Sequence, residues 1–265
     1  MTDGVLLEKR GAMALVTLDR PKALNAFDQP MASALLRVLD DIAQDTRIRA
    51  VLIVANGKYF CAGGDVRWFH ELSQTNRETR QASFEELVAT VHSVIEAIML
   101  LPLPVVAAVQ GGASGFGISL MAACDFVLST PVSTFSSAYI NLGASPDGGA
   151  TWVLPRIMGI RQARELILLS EQFDGEKALK LNLVNRLVQP DNLLAETLQL
   201  AERLAVGPTL AYGQLKRLLA QSFETNLPQQ LKSEQHSFLE AVETRDFAEG
   251  LDALVTRRKA NFVGQ

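Results

Sequence analysis

The chain has 265 residues, of which 48% are hydrophobic and 20% are charged, and this globular composition excludes wholesale disorder. Its 25 Lys and Arg residues against 29 Asp and Glu residues give a formal net charge of −4, which excludes a general basic surface for nucleic acid or an anionic membrane. Two cysteines, Cys61 and Cys124, are too few for a disulfide scaffold or a four-cysteine zinc site. The three histidines have no ligand-like spacing, so we expect no metal ion.

No targeting or membrane segment is predicted. The amino terminus has no long apolar core behind a basic start, which a signal peptide would need. The longest apolar run, VVAAV at 105–109, follows the proline-broken segment IMLLPLP and is too short to span a bilayer. We therefore expect a cytoplasmic protein with reduced cysteines.

Strands and helices are predicted to alternate over the first half of the chain. Apolar runs and alternating patterns between turn residues predict strands over residues 5–8, 14–19, 50–55, 105–109, 126–129 and 134–136. Apolar residues at helical spacing predict helices over residues 29–44, 84–101 and 118–124. The run AVLIVA at 50–55 is typical of a strand buried on both faces. This alternation indicates an α/β core.

From residue 151 onward the chain is predicted to be almost wholly helical. The predicted helices cover residues 151–158, 161–169, 175–181, 193–206, 208–221, 228–242 and 246–258. Seven late helices exceed what one sheet needs for cover, so we expect some of them to pack on neighbouring subunits.

Two glycine-containing loops follow buried strands and precede helical sequence. They are FCAGGDV at 60–66 and GGASGFGIS at 111–119. Amides at the start of a helix have no partner inside the helix and can point at negative charge. Two such loops on neighbouring strands could therefore aim two N–H groups at one oxygen and stabilise an oxyanion. Each loop alone also fits an ordinary tight turn.

Five segments, taken in order, resemble the crotonase family of enoyl-CoA hydratases and isomerases. They are LDRPKALNAF (18–27), FCAGGDV (60–66), VQGGASGFGISLMAACDF (109–126), SPDGGATWVLPRIMG (145–159) and RRKANF (257–262). The resemblance implies the ClpP-like crotonase spiral of ββα units around an acyl-CoA thioester site. It also implies a core over residues 1–200 and a C-terminal helical trimerisation region over residues 201–265, usually in a hexamer built as a dimer of trimers. CoA is then part of the substrate, and no cofactor is expected.

The same resemblance assigns roles to residues. The N–H groups of Gly64 and Phe116 match the pair that holds the thioester oxygen, where they stabilise the charge of an enolate. Residues 22–24 match a loop that holds adenine by backbone groups, although a solvated lysine fits position 22 equally well. The segment with Lys259 and Phe262 matches one that reaches the CoA of a neighbouring subunit. The expected substrate-binding positions are Lys22, Ala23, Leu24, Ala62, Gly115, Tyr139, Lys259 and Phe262.

The positions of the two catalytic glutamates of family hydratases are occupied by Ser119 and Tyr139. Neither side chain is a usable base near pH 7. One carboxylate, Asp147, stands instead in the turn SPDGG, where an Asp between Pro and Gly is also an ordinary turn residue. Dienoyl-CoA isomerases, ring-opening epoxyphenylacetyl-CoA isomerases and an aromatic-CoA dehalogenase place a working Asp in this turn. The stretch PDGGATWVLPRIMG is most similar to that of the phenylacetate isomerases.

The resemblance therefore implies an acyl-CoA isomerase in which Asp147 moves a proton beside the oxyanion hole. A hydratase-type enzyme with a non-standard base and a non-catalytic acyl-CoA-binding subunit remain alternatives. Nucleophilic attack by Asp147 on an aryl-CoA needs the same residues, but the sequence shows no His or Trp placed to support it. His92 fits a helix face and is interpreted as structural. An apolar wall is expected from Trp68, Phe69, Phe116 and Tyr139.

Overall fold

The computed structural model describes residues 3–265 and contains two sheets. The strands are β1 (Val5–Arg10), β2 (Met13–Leu18), β3 (Ala50–Ala55), β4 (Val105–Val109), β5 (Gly112–Ser114), β6 (Phe126–Ser129), β7 (Thr134–Ser136), β8 (Phe173–Asp174) and β9 (Arg186–Leu187). The six-stranded sheet has the order β1-β2-β3-β4-β6-β9, and the three-stranded sheet has the order β5-β7-β8. In the larger sheet only the β1–β2 hairpin is antiparallel.

Eleven helices cover these sheets and extend beyond them. They are α1 (Gln29–Gln44), α2 (Val66–Ser73), α3 (Arg77–Leu100), α4 (Phe116–Ala122), α5 (Ala150–Met158), α6 (Ile160–Leu169), α7 (Gly175–Lys180), α8 (Leu193–Ala205), α9 (Thr209–Gln221), α10 (Leu227–Val242) and α11 (Arg245–Thr256). None of the helices in the described part of the chain is long and apolar enough to cross a membrane.

The larger sheet is buried on both faces, as the unbroken apolar runs of β3 and β4 predict. Alternate strand residues such as Val51 and Ile53 belong to one core cluster, which also contains the apolar faces of α1 and α3. Their neighbours Ala50 and Leu52 belong to the opposite cluster, which α8 closes. The parallel strands align their carboxyl ends at one edge of the sheet, where the two glycine loops leave β3 and β4.

The C-terminal helices α9 to α11 carry many apolar side chains that a single chain leaves uncovered. Those on the surface are Leu210, Leu215, Leu219, Leu227, Leu231, Phe238, Leu239, Val242, Leu251, Leu254 and Val255, and Phe223 is exposed in the connection between α9 and α10. No residue of α9 is fully buried in one chain. A surface of this size is typical of a protein interface, so the expectation that these helices pack on neighbouring subunits stays a prediction.

The predicted α/β core and the late helical region are confirmed, with differences at elements that lack an apolar pattern. Helix α3 begins at Arg77 and not at residue 84, because Asn76 caps it through the N–H of Thr79 at 2.8 Å. Its first turns are polar and exposed, so they show no helical periodicity. Strand β5 lies in the glycine run and exists because it pairs with β7. The two-residue strands β8 and β9 are likewise defined only by their partners.

Candidate active site

The two glycine loops lie against each other at the carboxyl edge of the sheet. Cys61 pairs with Ala113, and the N–H of Ser114 donates to the carbonyl of Cys61 at 2.9 Å. Gly63 has a φ of 95°, and a Cβ added there would lie 2.8 Å from the carbonyl oxygen of Ser114 and 3.3 Å from the amide nitrogen of Phe116. Glycine is therefore required at position 63 both by its backbone angle and by the close approach of the second loop.

The amides of Gly64 and Phe116 are left without an acceptor. Phe27 takes the groups on either side of Gly64: its N–H donates to Gly63 at 2.7 Å, and its carbonyl accepts from Asp65 at 2.9 Å. Phe116 opens α4, so its N–H has no partner inside the helix. Within residues 3–265, no oxygen accepts a hydrogen bond from either amide. Two free donors on touching loops are the geometry that an oxyanion needs.

The side chains at these two positions have other tasks. The ring of Phe116 is buried and packs edge-on against Phe27, with centroids 4.9 Å apart. Position 64 has no room for a side chain, since an added Cβ would lie 2.2 Å from the ring of Phe69. That ring belongs to an aromatic cluster with Trp68 and Phe84. The contributions of Gly64 and Phe116 to a ligand are thus made by the main chain.

The expected CoA-binding turn lies beside the first loop. Lys22 and Ala23 are in a short 3-10 helix, and Leu24 ends it in a left-handed conformation with φ 52°. The carbonyl of Leu24 accepts from the N–H of Ala62 at 3.0 Å. The side chain of Asn25 stabilises the turn by accepting a hydrogen bond from the N–H of Arg20 at 2.8 Å. The structure therefore brings these three positions and Ala62 together, with Lys22 and Leu24 exposed.

Ser119, Tyr139 and Asp147 form one hydrogen-bonded cluster. The phenol of Tyr139 donates to Oδ1 of Asp147 at 2.5 Å, and the hydroxyl of Ser119 donates to the carbonyl oxygen of Asp147 at 3.1 Å. A Cβ added at Gly148 would lie 2.8 Å from Ser119 and 2.9 Å from the ring of Phe116. The Asp147 turn therefore rests on the first turn of α4, whose opening amide is one of the two free donors.

Burial sets the protonation of this cluster. Desolvation raises the pKa of the Asp147 carboxyl above its usual range, while the hydrogen bond from Tyr139 and the charge of His92 oppose the rise. Burial also raises the pKa of the Tyr139 phenol, and the charge of Asp147 raises it further. Tyr139 is consequently a hydrogen-bond donor, and Asp147 is the one carboxyl among the three side chains.

His92 lies near Asp147, which the sequence analysis did not foresee. It lies on α3 and lines a cavity of about 1450 Å³ together with Asp147, Ile95, Met99 and residues of α5 and α9. The sequence showed no histidine placed to support attack by Asp147, and the structure places His92 in the same cavity as that residue; the interpretation of His92 as structural stays a prediction. The spacing of His92, Ile95, Glu96 and Met99 along one helix face was the available signal. Gly64 and Phe116 do not line this cavity.

The C-terminal positions are not brought to the site within one chain. Lys259 is exposed. The carbonyl of Phe262 accepts from Arg49 at 3.1 Å, and the ring of Phe262 lies over Gly250 of α11. The segment after α11 is held there by the carboxylate of Asp246, which accepts from the N–H groups of Val263 and Gly264. Their role at the CoA of a neighbouring subunit stays a prediction.

Comparison with known proteins gives a consistent assignment. Residues 8–265 match the family described as enoyl-CoA hydratase/isomerase. The chain is 31% identical to a crotonyl-CoA hydratase of Syntrophomonas wolfei over 264 residues, covering 99% of both chains. It is 32% identical to a 1,2-epoxyphenylacetyl-CoA isomerase of Escherichia coli (strain K12) over 257 residues, covering 97% of both.

A solved structure agrees with the sequence relatives. An enoyl-CoA hydratase from Polaromonas sp. JS666 superposes with a TM-score of 0.91 at 30% sequence identity, covering 98% of this chain and 99% of that one. The crotonase fold expected from the ordered motifs is thereby confirmed. The free amides on two touching loops and the matches along the whole chain lead to one assignment: this protein belongs to the enoyl-CoA hydratase/isomerase family.

Proposed function

We propose that the protein is an acyl-CoA isomerase in which Asp147 carries the proton and the N–H groups of Gly64 and Phe116 hold the thioester oxygen. The observation that carries this proposal is the composition of the cluster at Asp147. The two positions that resemble the hydratase glutamates are Ser119 and Tyr139, and both donate hydrogen bonds to Asp147. Tyr139 donates to the carboxylate and Ser119 to the main-chain carbonyl of the same residue, so neither position supplies a second carboxylate.

The proposed reaction moves a double bond. The Asp147 carboxylate removes a proton from C2 of a 3-enoyl-CoA, and the electron pair of the C–H bond delocalises to the thioester oxygen. The resulting dienolate is stabilised there by the two amides. Asp147 then returns the proton to C4, the electron pair leaves the oxygen, and the thioester carbonyl reforms. A raised carboxyl pKa brings the base closer to the pKa that is most efficient at working pH.

Hydration is less well supported. Addition of water across the double bond needs a group that activates the water and a group that protonates carbon. Ser119 has no usable basicity, and burial keeps Tyr139 protonated. A hydratase would therefore have to use Asp147 for both steps.

A second candidate follows from the position of His92. Asp147 could attack an electron-poor carbon of an aryl-CoA, so that a carbon–oxygen bond forms and an anion leaves with its electron pair. Water activated by His92 would then hydrolyse the aryl ester at the Asp147 carbonyl carbon and release a hydroxylated aryl-CoA. Because both side chains line one cavity, this reaction is included in the test below.

The proposal is tested by supplying purified protein with 3-enoyl-, 2-enoyl-, dienoyl-, epoxyphenylacetyl- and 4-halobenzoyl-CoA. Wild type is compared with Asp147→Asn and with Asp40→Asn, a matched control on the exposed side of α1. We expect products of unchanged mass from the isomerisable substrates, with activity lost in Asp147→Asn and kept in the control.

Other outcomes separate the alternatives. A gain of one water in wild type contradicts the proposal in favour of hydration, and its loss or persistence in Asp147→Asn shows whether Asp147 is the base that hydration uses. Halide release with label from H₂¹⁸O appearing in Asp147 during a single turnover identifies the second candidate. Binding of every thioester without turnover identifies a non-catalytic acyl-CoA-binding subunit. Epoxyphenylacetyl-CoA is included because the Escherichia coli relative carries it in its name.

We also propose that the protein acts as a homo-oligomer, a trimer or a hexamer, through the apolar surface of α9 to α11. Eleven exposed apolar side chains on these helices, with Phe223 between α9 and α10, support association. Light scattering on the eluting peak of a size-exclusion column measures the mass directly. A single-chain mass at micromolar concentration would contradict the proposal.

A further inference from the structure

The geometry points to Arg20 as a positioning residue that keeps the N–H of Gly64 directed at the thioester oxygen. Arg20 thereby controls the strength of the hydrogen bond between that N–H and the thioester oxygen. This inference deepens the proposed function and rests on its oxyanion hole. Arg20 lies in the motif LDRPKALNAF, but the sequence analysis gave it no role. Its effect would pass through two carboxylates and the backbone between them.

Arg20 joins three segments of the chain with one guanidinium. Its Nη2 lies 2.9 Å from Oδ2 of Asp28 and 3.0 Å from Oδ2 of Asp65. Its Nη1 donates to the carbonyl oxygen of Ala26. The three charged side chains are 25%, 19% and 15% exposed, so solvent screens these pairs only in part. A planar guanidinium can serve all three acceptors at once, whereas an ammonium group is a single point charge on a flexible stem.

Each carboxylate uses its other oxygen to cap a helix. Oδ1 of Asp28 accepts from the N–H of Met31 at 3.0 Å at the start of α1. Oδ1 of Asp65 accepts from the N–H of Arg67 at 3.1 Å at the start of α2. Arg20 therefore ties the first turns of two helices to each other, and the residues just before those caps, Phe27 and Gly64, are the pair that bridges the two segments.

Gly64 is fixed from both sides by this arrangement. The peptide groups on either side of it are hydrogen-bonded to Phe27, and the next residue, Asp65, is held by Arg20. Within residues 3–265 the N–H of Gly64 has no acceptor, and its direction follows from the orientation of its neighbours. Loss of the Arg20 link would free Oδ2 of the Asp65 carboxylate, while both hydrogen bonds of Phe27, to Gly63 and from Asp65, stay in place. We expect the Gly64 amide to tilt and its hydrogen bond to the thioester oxygen to lengthen.

The test measures the thioester carbonyl itself and does not depend on turnover. Butyryl-CoA labelled with ¹³C at the carbonyl is bound to the full-length protein, and the shift of its C=O stretch is read by isotope-edited infrared spectroscopy. We expect a clear downshift in wild type and in Asp147→Asn. We expect at least half of that downshift to be lost in Arg20→Lys and in Asp65→Asn, which keeps a capping oxygen. Arg37→Lys, in an exposed ion pair with Asp3, is the matched control.

Activity and folding complete the experiment. Arg20→Lys is expected to lower kcat about tenfold, less than the roughly 10²- to 10³-fold loss for deleting an oxyanion donor, with KM within about twofold because CoA contacts are untouched. Melting curves ensure that spectra are taken on folded protein.

An unchanged carbonyl shift in both folded variants would overturn the inference and leave Arg20 a purely structural ion pair. Absence of a downshift in wild type would also overturn it, because Gly64 would then not hold the carbonyl. A wild-type downshift that is halved in the Arg20 and Asp65 variants, in a protein that does not isomerise any enoyl-CoA, supports the inference while contradicting the isomerase proposal.

Discussion

The two halves of the candidate site use different parts of the chain: one uses main-chain amides and the other uses side chains. The half that would hold the thioester oxygen is main chain: two amides on touching glycine loops, fixed by backbone pairing to Phe27 and by the start of α4. The half that would move the proton is side chain: the carboxyl of Asp147, which accepts from the phenol of Tyr139. The first half contains no titratable group, and the second depends on one.

This difference shows where the choice of reaction resides. Every acyl-CoA presents the same thioester oxygen, so a main-chain donor pair can serve many reactions without change. The group beside the acyl chain decides what is added, removed or moved. Relatives named as a hydratase and as an isomerase are both about 30% identical to this chain along nearly its whole length. The overall match therefore does not choose between them, and the predictions below probe the two halves separately.

The largest effect is expected from the side-chain half. Asp147→Asn removes the one carboxyl of the cluster, which is the proposed acid and base, and general acid–base groups contribute about 10²- to 10⁴-fold. We therefore expect kcat for double-bond migration to fall by about 10³-fold, measured by the absorbance of the 2-enoyl thioester. Far-ultraviolet circular dichroism should be unchanged. A residual kcat within tenfold of wild type would remove Asp147 from the mechanism.

Gly64→Ala tests the main-chain half, because it disturbs one of the two amides that would hold the thioester oxygen. An added Cβ would lie 2.2 Å from the ring of Phe69, so the ring or the loop must shift, and we expect the amide at position 64 to turn away from the thioester oxygen. Deleting an oxyanion donor costs about 10²- to 10³-fold in kcat, and we expect about 10²-fold here. The double variant Gly64→Ala/Phe69→Ala removes the clash and should regain part of the rate. Full activity in Gly64→Ala alone would contradict the use of this amide.

A smaller, pH-dependent effect is expected for Tyr139→Phe. The hydrogen bond from Tyr139 lowers the pKa of Asp147 against the larger rise caused by burial, so its removal raises that pKa further. The reaction needs the ionised carboxylate, and the acid limb of the kcat/KM profile should therefore move to higher pH. The plateau at high pH should change less than the limb. An unmoved limb, or one shifted to lower pH, would show that the phenol does not stabilise the carboxylate.

The smallest effect concerns stability. Burial raises the pKa of Asp147 in the folded protein, so the folded state binds more protons than the unfolded state between the two pKa values. Wild-type stability consequently falls as pH rises through this window. Asp147→Asn lacks this loss, and its free energy of unfolding relative to wild type should increase from acid to neutral pH. Denaturant titrations at several pH values measure the difference, and a decrease with rising pH would contradict the sign.

The sequence was sufficient for the parts of this protein that follow local patterns. The apolar runs of β3 and β4 and the glycine loops after them predicted both the buried sheet and the place of the amides. Asp147 was found because its turn motif resembles that of known isomerases. In each case the residues that carry the information are neighbours along the chain.

The remainder depends on contacts between distant segments. Tyr139 was predicted as part of an apolar wall, and only the fold shows that its hydroxyl reaches Asp147. His92 stands 55 positions before Asp147 on an exposed part of α3, and its helix face alone does not reveal its neighbour. Arg20 links Asp28 and Asp65 across loops of unrelated sequence. Pairings of this kind have no periodicity that a linear pattern could show.

The most direct test is a crystal structure of Asp147→Asn with an unreacted 3-enoyl-CoA. Our account predicts that the thioester oxygen lies about 3 Å from the amide nitrogens of both Gly64 and Phe116. It also predicts that the side chain at position 147 approaches C2 and C4 to about 3.5 Å from the same face of the acyl chain. A thioester oxygen that meets neither amide, or an acyl chain that passes position 147 out of reach, would contradict the account.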